Sequence, residues 1–446
     1  MKKTLLLTLA MGVASATTVM ADADLYITGS TAFRANVHDA CTKLFTSYTE
    51  HTGTAATGGD SKTGNAAAQW VLTGTPITAI TNVTGTLTVH GLFTGSVQGC
   101  QTVESGTKLQ FLDKNGNMVL NSPTIAFSDC SSASTPYPVT ATTSFAEEKV
   151  AVQPFVIVKS TAGGGLNSIT NVTWEQMKYL IQIGRTPLSA WTTKPADHSS
   201  YVYLINRTKD SGTRRTTFAQ VLDGYSASAG IYIYDVTNNF FYKTTSTVNG
   251  SVGASNNVFV VGVVGAAGNG NANLNWGSGY VGGGDIKTQM GISAAANQSI
   301  SYLSISDAKG ITGTAYSQIV PFDGVWPTAA GAGISGNTSG TNDFSPISEG
   351  TYGLWGAEVV VYPTVDPNSL PAGDQDLTLQ QLGSQSTPGT LLGVLDYQTK
   401  YSNPGGPTLA GSLENEIELS KTTGATAIRL SDMQSDRASV GGTIVP

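Results

Sequence analysis

The stretch YVYLINRTKDSGTRRTTF, residues 201–218, decides the fold class. Tyr201–Ile205 is an apolar, β-prone run of strand length that gives way to polar residues at Asn206. Ser211 stands where a helix N-cap is wanted, ahead of a helical run carrying Phe218, Val221 and Leu222 and closing at Gly224. A strand that delivers a short polar turn to a helix N-terminus is the repeating unit of α/β architecture. Two further units share the design. Leu25-Tyr26-Ile27 runs through Gly29-Ser30-Thr31-Ala32 into a helix with Phe33, Val37, Ala40, Cys41 and Leu44 on one face. Pro123–Phe127 is an apolar strand that stops at Ser128-Asp129.

Between these units the pattern stays mixed. The polar stretch from about Thr52 to Ala68 predicts a loop or small insertion, Thr84–Val89 alternates like a strand, and Gly95-Ser96 leads into a short helix. Val150–Val158 is strongly apolar and β-prone, and Gly163-Gly164-Gly165 after it marks a candidate domain crossing. Thr173-Trp174-Glu175-Gln176 is a capping box opening a helix with Trp174, Met177 and Ile181 on one face and Gly184 at its end. Ile231–Tyr234 and Phe240–Tyr242 flank Thr237-Asn238-Asn239 as a hairpin. Gly/Asn/Ser-rich stretches at 265–285 and 329–342 predict loops, and Ile347–Tyr362 resumes a strand-like pattern, Tyr352–Val361 being mostly apolar.

Composition narrows the setting. The 446 residues carry 23 Lys and Arg against 30 Asp and Glu, a net charge of −7, so a broad basic surface for nucleic acid is not expected. Charged residues make up 12%, well under the roughly 25% of an average soluble chain, which suits an exported protein. The N-terminus agrees. Lys2 and Lys3 precede an apolar run from Leu5 to about Val13, and Val19-Met20-Ala21 supplies a small-residue cleavage pattern before Asp22. Residues 1–21 are therefore predicted to be a signal peptide. Ser15, Thr17 and Thr18 break the run well short of the ~20 apolar residues of a membrane anchor. No membrane span is expected after cleavage, which places the mature chain in the periplasm or outside the cell. In an oxidising compartment Cys41, Cys100 and Cys130 permit one disulfide, and spacing does not choose the pair. His38, His51, His90 and His198 show no metal-ligand spacing, so neither a metal nor a cofactor is expected.

The chemistry gathers at the three strand ends, Ile27–Thr31, Ile125–Asp129 and Leu204–Thr213. A helix N-terminus presents unpaired N–H groups and roughly half a positive charge, and so attracts anions. Small residues let a ligand approach the backbone, and Ser and Thr hydroxyls add donors that adapt their direction. Arg207, four residues before Ser211, supplies a planar fork suited to two anion oxygens. Taken singly, Ser30, Thr31 and Ser211 are equally readable as ordinary caps, and Arg207 as a surface charge. Taken together they form an oxyanion clasp.

The segments ITGSTA (27–32), AFSD (126–129) and RTKDSGTR (207–214) resemble those of the PstS-like periplasmic phosphate-binding proteins, type 2 solute-binding proteins. Further matches in order are Pro154–Val158 as a crossing strand, the capped-helix block Leu166–Trp191, Ile300–Leu303 and Ser348–Tyr352. The resemblance implies an α/β fold of two lobes around a ligand cleft, joined by two hinge crossings. The first lobe would combine 24–158 and 346–446, and the second would span 159–345. Carried over residue by residue, it implies ligand contacts from Ser30, Thr31 and the backbone at Ala32 on one lobe. Ser96 and Asp129 would add to these, and Arg207, Ser211, Gly212 and Thr213 would grip from the other. It also implies uptake through an ABC transporter permease, with no enzymatic step.

Asp129 sharpens the expected ligand. Phosphate near neutral pH still carries a proton that a buried carboxylate can accept, whereas sulfate has none. A site built on such a bond rejects the analogue lacking it. The competing role for Asp129 is to cap a neighbouring turn. Two other functions fit parts of the sequence: a surface or matrix protein using the same fold without transport, and a phosphoester hydrolase. For the latter no base–nucleophile pair is readable. The G-x-G-x-x-G match at 331–336 lies in a Gly-rich loop without a following helix and does not mark a dinucleotide site.

Overall fold

The computed structural model describes residues 22–53, 62–135, 144–222 and 343–365, most of 279–329, and short pieces elsewhere. The predicted signal peptide, the glycine motif at 331–336 and nearly all of 366–446 lie outside the described residues.

The first half of the chain supplies β1 (Ala23–Gly29), α1 (Arg34–Thr42), β2 (Phe45–Thr52), β3 (Gln69–Pro76) and β4 (Leu87–Leu92). There follow α2 (Ser96–Ser105), β5 (Leu109–Leu112), β6 (Met118–Asn121) and β7 (Ile125–Ser128). β1 lies between β4 and β7 and runs parallel to both, so its C-terminal end meets that of β7. The face predicted for the first helix is the one that packs. Phe33, Val37, Ala40, Cys41 and Leu44 are all fully buried in the main core.

β8 (Phe145–Ser160) joins the two halves of the sheet. Its residues Phe145–Pro154 pair with the late strand, and Phe155–Lys159 pair with a strand of the second half. The change of partner falls between Pro154 and Phe155. The second half comprises α3 (Trp174–Ile183), β9 (Arg185–Pro187), α4 (Ser189–Thr192), β10 (Tyr201–Leu204) and α5 (Gly212–Val221). β11 (Ile231–Asp235) and β12 (Phe240–Thr244) form the expected hairpin, extended by β13 (Val258–Val260). β14 (Leu274–Asn275), β15 (Gly279–Tyr280), α6 (Gly283–Met290), β16 (Gln298–Ser304), α7 (Ile305–Ala308) and β17 (Ser317–Val320) complete it. α8 (Ser345–Ser348) leads to β18 (Trp355–Pro363), which returns between β7 and β8 in the first half. The strand order is β2-β3-β4-β1-β7-β18-β8-β16-β10-β9, with β17 also on β8. This is an α/β protein on one mixed eleven-stranded sheet, as the strand-to-helix units at Ile27–Thr31 and Leu204–Thr213 predict.

Local signals act where they are strong. Thr173 accepts from the Gln176 N–H at 3.2 Å while Gln176 accepts from the Thr173 N–H at 3.0 Å, and α3 closes at Gly184 with φ 74°. A reciprocal cap of this kind stabilises a helix by about 1 kcal/mol. The one disulfide that an oxidising compartment would permit is not formed, and all three thiols are free and buried. Cys41 lies in the main core, whereas Cys100 packs in a separate small cluster with Val103, Ala126, Phe145 and Val361. Among the described residues no helix is long and apolar enough to cross a membrane.

Candidate functional site

β1 enters the site through Gly29, at φ 121°, where a Cβ would lie 1.9 Å from the Phe127 carbonyl oxygen. Only glycine fits so close to the neighbouring strand. The next residue is locked to that strand, since the Ser30 N–H donates to Phe127 O at 2.7 Å. Ser30 Oγ then accepts from the N–H groups of Ala32 (3.2 Å) and Phe33 (3.1 Å) just ahead of α1. Thr31 is half-buried, and its Oγ1 accepts from Arg207 Nη2 at 3.1 Å. A hydrogen bond between residues 176 positions apart thus links the tips of the two sheet halves.

Asp129, 1% exposed, sits immediately beyond β7 and is the centre of the cluster. Ser96, in the first turn of α2, donates to its Oδ1. From the other half, Thr213 Oγ1 donates to Asp129 Oδ2 at 2.7 Å and Thr216 Oγ1 to the Asp129 carbonyl at 2.7 Å. Gly212 allows this approach, because a Cβ there would fall 1.8 Å from Asp129 Oδ1 and 2.5 Å from Ser96 Oγ. Ser211 caps α5 by accepting from the Arg214 N–H at 3.2 Å. The two halves also meet through backbone, with the Val97 N–H donating to Asp210 O at 3.1 Å.

Burial dominates the electrostatics at Asp129 and pushes its carboxyl above the ordinary range. The Ser96 and Thr213 hydrogen bonds and the Arg207 charge oppose that shift without overcoming it. Arg207 is itself 2% exposed. Its backbone is held by a bridge to Tyr280 and by the Tyr302 hydroxyl, which accepts from the Arg207 N–H at 3.4 Å.

Six of the nine predicted residues are therefore tied into one constellation: Thr31, Ser96, Asp129, Arg207, Gly212 and Thr213. Ser30, Ala32 and Ser211 stand at its edge. Ser30 and Ser211 accept local backbone N–H groups, the ordinary capping role, which leaves each hydroxyl proton able to donate elsewhere. Ala32 directs its N–H to Ser30 rather than outward. Sequence reasoning missed Thr216, although Thr213 and Thr216 are three apart on one helix and so share a face. It also missed Glu358, an acid inside the apolar strand run Tyr352–Val361. Glu358 is fully buried on β18, and burial lifts its carboxyl well above the usual range, with the neighbouring Asp129 charge adding to the rise. Among the described residues no group of three His, Cys, Asp or Glu side chains could hold a metal ion.

A buried acid with hydroxyl donors, a guanidinium opposite and two helix N-termini can hold a small anion that brings its own proton. Next to it, on the outer side of Thr31 and Ala32, is a cavity of about 400 Å³ between α1 and α6.

No family model matches the chain, and no curated protein does. Among solved structures it is similar to a protein from Clostridium perfringens, assigned as a phosphate ABC transporter substrate-binding protein and carrying bound phosphate. That identity is 14%, over 78% of this chain and 89% of the other, with a TM-score of 0.39. An ABC-type phosphate transport receptor from Vibrio cholerae is similar at 13% identity, over 76% and 87% of the two chains, with a TM-score of 0.35. PstS from Borrelia burgdorferi is similar at 12%, over 76% and 87%, with a TM-score of 0.33. The overlap is partial at these scores, and the case for a ligand rests on the side chains.

Proposed function

We propose that the chain is an exported solute-binding protein that takes phosphate, or a similar tetrahedral oxyanion, between the two halves of the sheet. The observation that carries this reading is the convergence on Asp129 of Ser96 from one half and Gly212 and Thr213 from the other, with Arg207 and Thr31 alongside. Asp129 would accept the proton of a singly or doubly protonated phosphate, Arg207 would take two oxygens, and the hydroxyls and backbone N–H groups would serve the rest. The ends of β1, β7 and β10 supply parts that neither half holds alone, so anion binding would draw the two halves together by hinge motion. Residues 24–158 with 346–446, and 159–345, are the proposed lobes. Delivery to an ABC transporter permease outside the cytoplasm is the proposed use, with no covalent step.

Titration calorimetry with phosphate and with sulfate at equal ionic strength tests this directly. Phosphate is expected to bind and sulfate to bind at least tenfold more weakly, the discrimination that a missing hydrogen bond to a buried acceptor produces. No heat with either anion, or equal affinity for both, would overturn the phosphate reading.

A further inference from the structure

The cavity outside Thr31 has a charge pattern that a single phosphate would not use. It is lined by Arg34 at the start of α1, Lys62 and Asn65 from the segment before β3, Lys287 and Thr288 on α6, and Asp307 on α7. Three cations and one acid thus line the cavity, with Asp285 of α6 close enough to feel Lys62 and Asp307, in a chain with only 23 Lys and Arg among 446 residues. The lining acid is already engaged, because Asp307 Oδ2 accepts from Ser304 Oγ at 3.1 Å and lies where a Cβ on Gly283 would fall. No ion pair joins Arg34 or Lys287 to an acid among the described residues. Its floor closes across the two halves, where Ser306 Oγ donates to Ala32 O at 3.4 Å.

Its position matters as much as its charge. Thr31 belongs both to the inner constellation, through Arg207, and to the cavity wall, so one residue separates the two sites. A group attached through a bridging oxygen to an anion held at Asp129 and Arg207 would emerge beside Thr31. About 400 Å³ falls within the roughly 300–1,000 Å³ of small-molecule pockets and exceeds what one tetrahedral anion fills. The small side chains of Ala32, Ala35 and Ala66 leave that space open.

Resting on the phosphate reading above, we infer that this cavity is a second anion subsite and that the preferred ligand is a diphosphate or short linear polyphosphate. The inner phosphoryl group meets Asp129, Arg207 and the hydroxyls. The outer one meets Arg34, Lys62 and Lys287.

The test is calorimetry on the mature chain with inorganic phosphate, pyrophosphate and glycerol 3-phosphate, repeated on Lys62→Ala/Lys287→Ala. Pyrophosphate is expected to bind more tightly than phosphate. The double variant is expected to lose about tenfold for pyrophosphate, as two partly exposed charge contacts would give, and to keep phosphate within about twofold. Phosphate binding with pyrophosphate weaker or undetectable would overturn the subsite and leave the phosphate reading standing. So would an equal loss for both anions in the variant, which would mark a general field rather than a subsite. Glycerol 3-phosphate binding as tightly as pyrophosphate would show that the cavity takes an uncharged tail, again against the inference. Binding of none of the three ligands would overturn both readings.

Discussion

The end of β7 and the middle of β18 lie side by side, with Ser128 paired to Val359, and each carries a buried carboxyl. Asp129 is 1% exposed and Glu358 is 0% exposed. Burial raises both above the ordinary range, yet their surroundings are opposite. Asp129 accepts from Ser96 and Thr213 and feels Arg207. Neither oxygen of Glu358 has a hydrogen-bond partner among the described residues. An acid without donors in a low-dielectric interior keeps its proton. One furnished with donors from two halves of the chain is prepared to serve as an acceptor. The difference separates a buried acid without donors from a candidate ligand group, and burial alone would not have done so.

Removing the cation opposite Asp129 should break the comparison most severely. Arg207→Ala is expected to weaken phosphate binding by about 3 kcal/mol, more than a hundredfold, by calorimetry on a variant shown by its melting curve to be folded. Next is Asp129→Asn, which replaces an acceptor by a group that also donates. Phosphate affinity should fall by about 2 kcal/mol and sulfate affinity should not fall, so the ratio between the anions collapses. A preserved ratio would assign Asp129 to turn capping alone. Gly212→Ala forces α5 away from Asp129 and Ser96, and a cost of about 1–3 kcal/mol in stability is expected from thermal or denaturant unfolding.

Glu358→Gln should leave phosphate binding unchanged and alter only the pH profile of stability. The folded pKa is raised, so the Glu358 contribution is fully present below the unfolded value near 4.3 and is lost as pH rises toward the folded one. Gln does not titrate. The melting temperature of the variant relative to the natural chain should therefore climb as pH rises above the unfolded value. A flat difference would mean that Glu358 is ionised in the fold.

The strand ends were legible because each combines a short apolar run, a glycine or small residue and hydroxyls within a few positions. The capping box at Thr173 was legible for the same local reason. β2 was not. FTSYTEHT lies at the sheet edge with most side chains facing water, so no apolar alternation announces a strand. The expected loop near 52–68 began where that strand ends, and its described part holds only a short helical turn at Gly64–Ala66. Thr31, Asp129, Arg207, Gly212 and Thr213 could be grouped from the sequence because they stand at three strand ends of like composition, with Ser96 added at the start of α2. The hydrogen bonds of Ser96 and Thr213 to the Asp129 carboxylate, and of Arg207 to Thr31, depend on β8 bringing distant segments together, which no local pattern records. The cavity beyond Thr31 was illegible altogether, since Arg34, Lys62 and Lys287 come from three separate segments.

A crystal structure of the mature chain grown with phosphate would test the central claim most directly. The account predicts a tetrahedral anion with one oxygen within hydrogen-bond distance of the Asp129 carboxyl and two on the Arg207 guanidinium. An anion found only among surface cations, with Asp129 still closed on Ser96 and Thr213, would contradict it.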